Sequence, residues 1–136
     1  HVETVFPADE LHVAIEDATF VVLACPLTEE THHLIAGPEL DTMRDDAYLV
    51  NVARGSVVDE PALIDALEAG TIAGAHLDVF EEEPLPADSP LWDMENMIVS
   101  PHKAGSWEGY YRGVADIVRE NLDRLGSGEA FHNRVV

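Results

Sequence analysis

Nearly unbroken apolar runs recur along this chain at residues 20–25, 47–52, 72–77 and 97–99, and each stops at a polar or glycine-bearing motif. Short continuous runs of this kind, lying between segments of helical spacing, suit strands of a parallel sheet covered on both faces. They predict an α/β fold, a Rossmann-like, doubly wound parallel sheet. In such a sheet every strand delivers the residues that follow it to the same carboxyl edge, and ligands bind at that edge. Asn51-Val52-Ala53-Arg54-Gly55, Leu77-Asp78-Val79-Phe80-Glu81-Glu82-Glu83-Pro84 and Ser100-Pro101-His102-Lys103-Ala104-Gly105 are therefore expected to converge there.

The remaining elements follow from local signals. Residues 2–6 read as a short strand, and Pro7 leads into a helix through Asp17 on which Leu11, Ala14 and Ile15 share a face. Thr28 is an expected N-cap for a short helix over residues 29–34, and residues 38–43 form another. Asp59 caps a helix over residues 60–69, with Pro61 in its first turn and Gly70 just beyond its end. Residues 81–94, rich in proline and acid, read as a surface loop. A last helix spans residues 107–125 and is closed by Gly126 and Gly128.

No GxGxxG occurs, so the phosphate-cradling first turn of a dinucleotide fold is absent. Nor is there the residue after a second strand that selects between NAD and NADP. The chain reads as the later portion of a dinucleotide-binding domain. Residues 1–125 are expected to form that partial domain, and residues 126–136 a tail returning towards a substrate domain absent from the sequence.

The charge balance excludes some partners. With 27 Asp and Glu against 7 Lys and Arg, the net charge is −20. Such a surface repels phosphate backbones and anionic membranes, so neither nucleic acid nor membrane is expected as a partner. The acids are scattered over elements with intact hydrophobic faces, which suits work in concentrated salt. Repulsion among the excess charges is damped as the Debye length falls to about 3 Å at 1 M salt. Thermal stability should therefore rise with KCl, and melting curves that stay flat or fall towards molar salt would count against this. One cysteine, Cys25, excludes an internal disulfide and fits a reducing compartment. With no signal pattern and no 18-residue apolar stretch, a cytoplasmic location is expected.

The convergent motifs offer one Arg, one Glu and one His. Arg54 presents a planar fork that takes a 2-oxo carboxylate bidentately, which Lys cannot imitate. His102, approached through Pro101, is the residue type that can give and take a proton, and Glu83 beside it would favour the imidazolium and set its tautomer. Together they supply what reduction of a 2-oxo acid requires. Glu83 is one of three successive glutamates, and Pro84 distinguishes it from Glu81 and Glu82. Asp78 ends an apolar run at the ligand edge, where an unpaired carboxylate is costly. The adjacent His32 and His33 point in different directions on a helix and lack HExxH or CxxC, so no metal site is expected. Trp107, Tyr110 and Tyr111 are expected in core or dimer packing, the alternative being an aromatic wall for a cofactor.

At these motifs the sequence resembles the D-isomer-specific 2-hydroxyacid dehydrogenases. The likeness covers effectively the whole chain and rests on several motifs in the family's order. These are Cys25-Pro26-Leu27-Thr28 with Thr31, Asn51 to Asp59, Leu77 to Leu85, and Pro101-His102 with Gly105. The resemblance implies that Arg54 binds the substrate carboxylate and carbonyl, that His102 is the proton donor and that Glu83 hydrogen-bonds it. It also implies that Asp78 holds the nicotinamide carboxamide. Cys25, Pro26, Thr31, Val52, Ala53, Arg54, His102 and Gly105 would line NAD or NADP. Lys103 stands where the family usually has an apolar residue, and Trp107 where it has a small Thr, which bears on substrate size. The expected activity is interconversion of a small 2-oxo acid and its D-2-hydroxy acid by a homodimer. The alternative is a dinucleotide-sensing, corepressor-like binding module without turnover.

Overall fold

The computed structural model describes residues 2–134, so His1 and the last two positions of the expected tail, Val135 and Val136, lie outside it. The chain forms two compact units that divide after Ala104. The first is built on four parallel strands, β1 (Phe20–Leu23), β2 (Tyr48–Asn51), β3 (Gly74–Leu77) and β4 (Met97–Val99), lying side by side in chain order. Their register pairs Leu23 with Asn51, Asn51 with Leu77 and Leu77 with Val99. Four strand ends thus form one row, and the residues that follow them emerge along a single edge.

Three helices, α1 (Leu11–Ile15), α2 (Gly37–Thr42) and α3 (Glu60–Ala69), supply the core with Ile15, Leu40, Leu63 and Leu67, which pack with Val21, Leu23, Leu49, Ala75 and Leu77 of the sheet. Leu63, Leu49, Ile35 and Val57 are completely buried. Burial of side chains this size contributes roughly 2 kcal/mol each relative to exposure. The helix over residues 60–69 has the bounds read from the sequence. Asp59 Oδ1 accepts from the Ala62 N–H at 3.1 Å, and Gly70 closes the helix in the left-handed region at φ 69°. Both are local signals, which is why they could be read without tertiary context. At the start of α2 the contact is reversed: Glu39, within the helix, reaches back to accept from the N–H of the preceding Ala36 at 3.1 Å.

Several expectations are corrected. Residues 2–6 form no strand: Val2 and Val5 are exposed, and no described strand offers them ladder hydrogen bonds. Their β-branched composition is compatible with a strand, but pairing decides whether one forms. The helix to Asp17 is shorter, a 3-10 turn over Ala8–Glu10 followed by α1. Residues 29–34 make a turn rather than a helix. Thr31 Oγ1 accepts from the Thr28 N–H at 2.7 Å and donates to the Pro26 carbonyl at 2.7 Å, so Thr31 closes the turn and Thr28 is not an N-cap. His33 at φ 50° then ends the helical path. The loop over residues 81–94 contains a 3-10 turn, Pro90–Trp92. Strands β1 to β3 are shorter at their ends than the apolar runs that announced them. On the face of the sheet away from the three helices, Phe20, Val22 and Ile98 are exposed, and Phe20 stacks on Tyr48 with ring centres 5.6 Å apart.

The second unit holds α4 (Tyr110–Ser127), which begins later and ends later than residues 107–125. Gly126 lies inside it, and Gly128 at φ 74° is the left-handed cap. Trp107 precedes the helix with its ring over Gly109, where a Cβ would come within 1.8 Å of it. Trp107, Tyr110 and Tyr111 are exposed among the described residues, so they belong to no core of this unit. A row of partly exposed apolar residues runs along α4 through Val114, Val118, Leu122 and Leu125.

Candidate active site

At the end of β2 the chain turns on Asn51. Its buried amide accepts from the Ala53 N–H at 3.0 Å and donates to the Arg54 carbonyl at 2.9 Å, so one side chain shapes the turn that presents Arg54. The sequence reading assigned Asn51 no role. A buried amide at a strand end must find partners, and that was the available signal. Arg54 is extended, with Nη1 donating to the Ala53 carbonyl at 2.6 Å. No described carboxylate forms an ion pair with it, whereas Arg44, Arg119 and Arg124 each have one. In a chain so rich in acid, a guanidinium left without a carboxylate is available to a ligand.

Gly55 follows for a reason the sequence reading did not contain. A Cβ there would stand 1.9 Å from the Phe80 carbonyl carbon and oxygen, and 2.4 Å from the Glu81 nitrogen. The Arg54 loop and the Glu81–Glu83 loop touch backbone to backbone at this point. Close approach, rather than a sharp turn, is what excludes a side chain.

The three glutamates are separated by their partners. Glu81 Oε1 lies 2.9 Å from His33 Nε2, and Glu83 Oε2 lies 2.8 Å from His102 Nδ1. Glu83 Oε1 also accepts from the Phe80 N–H at 3.1 Å. The hydrogen bond to His102, with help from the Phe80 N–H and the charge of Arg54, holds the Glu83 carboxyl below the usual carboxylate range against a smaller opposing effect of burial. Because Glu83 occupies Nδ1, Nε2 of His102 is the nitrogen left to exchange a proton.

His102 itself lies in the left-handed region at φ 51°, its N–H donating to the Asp78 carbonyl at 2.9 Å. Asp78 is 2% exposed. Burial alone would push its carboxyl up, but the Ser100 hydroxyl at 2.5 Å and the backbone N–H groups of Ala104 at 2.7 Å and Lys103 at 2.9 Å together hold it below its ordinary value. In this structure the carboxylate of Asp78 anchors the turn that carries His102.

Cys25 and Pro26, after β1, face Val52 and Ala53, after β2, across a cleft of about 490 Å³ that also reaches Arg54. Cys25 is half-buried rather than buried. A second cleft, about 650 Å³ and mostly apolar, lies beside Glu83 and His102 between Leu85 and Trp92. Thr31 is spent on its own turn, and Gly105 begins the second unit with open space where a Cβ would be. Arg54, Asp78, Glu83 and His102 thus all lie along the edge where the four strands end.

Residues 1–104 match the family model described as D-isomer specific 2-hydroxyacid dehydrogenase, NAD binding domain. The chain belongs to that family. It is 46% identical over 125 residues to a glyoxylate reductase of Korarchaeum cryptofilum, a match covering 92% of this chain and 38% of that protein. It is 48% identical over 123 residues to a glyoxylate reductase of Thermococcus gammatolerans, covering 90% and 36%. Among solved structures, a D-isomer specific 2-hydroxyacid dehydrogenase from Xanthobacter autotrophicus Py2, in complex with NADPH and MES, superposes with a TM-score of 0.83 at 44% identity. That match covers 94% of this chain and 52% of the other. The chain therefore spans under two fifths of these glyoxylate reductases. Among the described residues, no helix is long and apolar enough to cross a membrane.

Proposed function

We propose that this chain is the later part of the cofactor domain of a D-2-hydroxyacid dehydrogenase that reduces a small 2-oxo acid of the glyoxylate type with NADH or NADPH. The observation that carries this reading is the Glu83–His102 pair at 2.8 Å, on the same sheet edge as an Arg54 that pairs with no carboxylate among the described residues. The donor set suits the nicotinamide end of a dinucleotide. The cleft between Cys25-Pro26 and Val52-Ala53 opens at the carboxyl ends of two adjacent parallel strands, where such cofactors bind. When bound, the cofactor supplies the hydride.

The chain's own residues supply the rest. Arg54 holds the substrate carboxylate through its planar fork and orients the neighbouring carbonyl. His102 donates the Nε2 proton to the carbonyl oxygen as charge develops there, and takes it back in the reverse direction. Glu83 holds the ring at Nδ1 and so fixes its orientation. Asp78 keeps the His102 turn in place through its bonds to Ser100, Lys103 and Ala104. A homodimer working in the cytoplasm at high salt is part of the same proposal, drawn from the family resemblance and the charge balance.

The test is cofactor oxidation by the full-length protein with glyoxylate, pyruvate or hydroxypyruvate. Arg54→Lys should keep the charge yet lower kcat/KM about a hundredfold, the order expected for loss of a bidentate, charge-assisted pair, with most of the loss in KM. Dinucleotide binding with no turnover of any 2-oxo acid would instead indicate a sensing module.

A further inference from the structure

Below the His102 turn lies a hydrogen-bonded chain that the proposed reaction does not use. It runs from His76 of β3 through Ser100, the first residue after β4, to the buried Asp78. His76 Nε2 is 2.9 Å from Ser100 Oγ, and Ser100 Oγ is 2.5 Å from Asp78 Oδ1. We propose that Ser100 is a positioning residue for His102 and that His76 sets the direction of its hydroxyl. This rests on the reading of His102 as the proton carrier.

The directions of these bonds follow from chemistry. An ionised carboxylate only accepts, so the single hydroxyl proton of Ser100 goes to Asp78. The contact with His76 can then form only with Nε2–H donating, which fixes that nitrogen as protonated. A hydroxyl with one neighbour could rotate away; one held between a donor and an acceptor cannot. Ser100 is itself fixed along the backbone, its N–H donating to the Leu77 carbonyl at 3.0 Å.

His102 needs this support. A residue with a Cβ at φ 51° is in an unfavourable conformation and persists only where its surroundings over-determine it. Four bonds do so: its N–H to the Asp78 and Ser100 carbonyls, and the Lys103 and Ala104 N–H groups to the Asp78 carboxylate. Both carboxylate oxygens must hold their orientation for the last two to persist. Ser100 is the side chain that clamps Oδ1. Without it the carboxylate loses one of its three donors in a buried setting and can rotate. The turn then relaxes, and the aim of Nδ1 at Glu83 relaxes with it.

The experiment uses the full-length protein labelled with 15N-histidine. It reads kcat, cofactor KM and the low-field Nδ1–H proton of His102, assigned by its absence in His102→Asn. Ser100→Ala should lower kcat about tenfold, leave cofactor KM within twofold and remove or shift that proton signal. Ser100→Thr, which keeps the hydroxyl, should restore both. His76→Phe should lower kcat about threefold and add nothing on top of Ser100→Ala. A Ser100→Ala variant with kcat within twofold and the signal unmoved overturns the proposal. So does a loss that Ser100→Thr fails to restore, or a neutral His76 protonated at Nδ1 instead of Nε2. If the unmodified protein turns over no 2-oxo acid, the functional reading fails, while the His102 proton signal and the His76 tautomer still decide this inference.

Discussion

Replacing His102 by asparagine is expected to lower kcat for 2-oxo acid reduction about a thousandfold, within the range for loss of a positioned general acid, while the KM for cofactor changes little. Asparagine retains a donor towards Glu83 but has no proton to give and take at the Nε2 position. The structure makes the assignment specific, since Nδ1 is committed to Glu83 at 2.8 Å and one nitrogen remains for the substrate. An acid limb of the pH profile should accompany it. The relevant group is Glu83, whose carboxyl the structure holds below its ordinary value. Its pairing with His102 is complete above the carboxyl's unfolded-state pKa and is lost as pH falls through the lowered folded-state value. The acid limb should therefore lie below the ordinary carboxylate range and be absent in Glu83→Gln. A His102→Asn enzyme with kcat within tenfold of the unmodified protein would remove His102 from the role.

Gly55→Ala should be the most damaging single-methyl change in the first unit. The added carbon would fall 1.9 Å from the backbone of Phe80, and neither loop is a flexible side chain that can swing aside. Overpacking of this kind costs about 3 kcal/mol, or a fall in melting temperature of roughly 10 °C for a protein of modest size. Activity should fall further than stability, because the two backbones that must separate carry Arg54 and Glu83. Gly37→Ala is the control. Gly37 has nothing within 4 Å of a Cβ and sits in the first turn of α2, so its melting temperature should stay within about 2 °C. Thermal melts of the two variants, with kcat/KM at a temperature where both are folded, would check this. Equal melting temperatures would show that the two loops do not meet as described.

The helix over residues 60–69 was readable because its signals are local. An aspartate cap, a proline in the first turn and a glycine after the last need no distant partner. The turn at residues 29–34 was misread because Thr28 and Thr31 offer the same chemistry from two positions. Which hydroxyl is used depends on where the Pro26 carbonyl points. Residues 2–6 failed for the opposite reason: a strand is a relation between two segments, and a five-residue pattern does not contain the second one.

The site divides along the same line. Strand ends followed by Arg, Asp and His can be read from one dimension, because a parallel sheet sends every such exit to one edge. Sequence by itself therefore determined the fold class and the edge at which Arg54 and His102 emerge. Tertiary structure alone decided which partner Glu81 takes, why Gly55 tolerates no side chain, and how Asn51, Ser100 and Asp78 hold the turns. These depend on contacts between residues about 20 or more positions apart, or on the direction of a single hydroxyl or amide. Distances of that kind are set by the packing of one loop on another, and no periodicity in the chain encodes them.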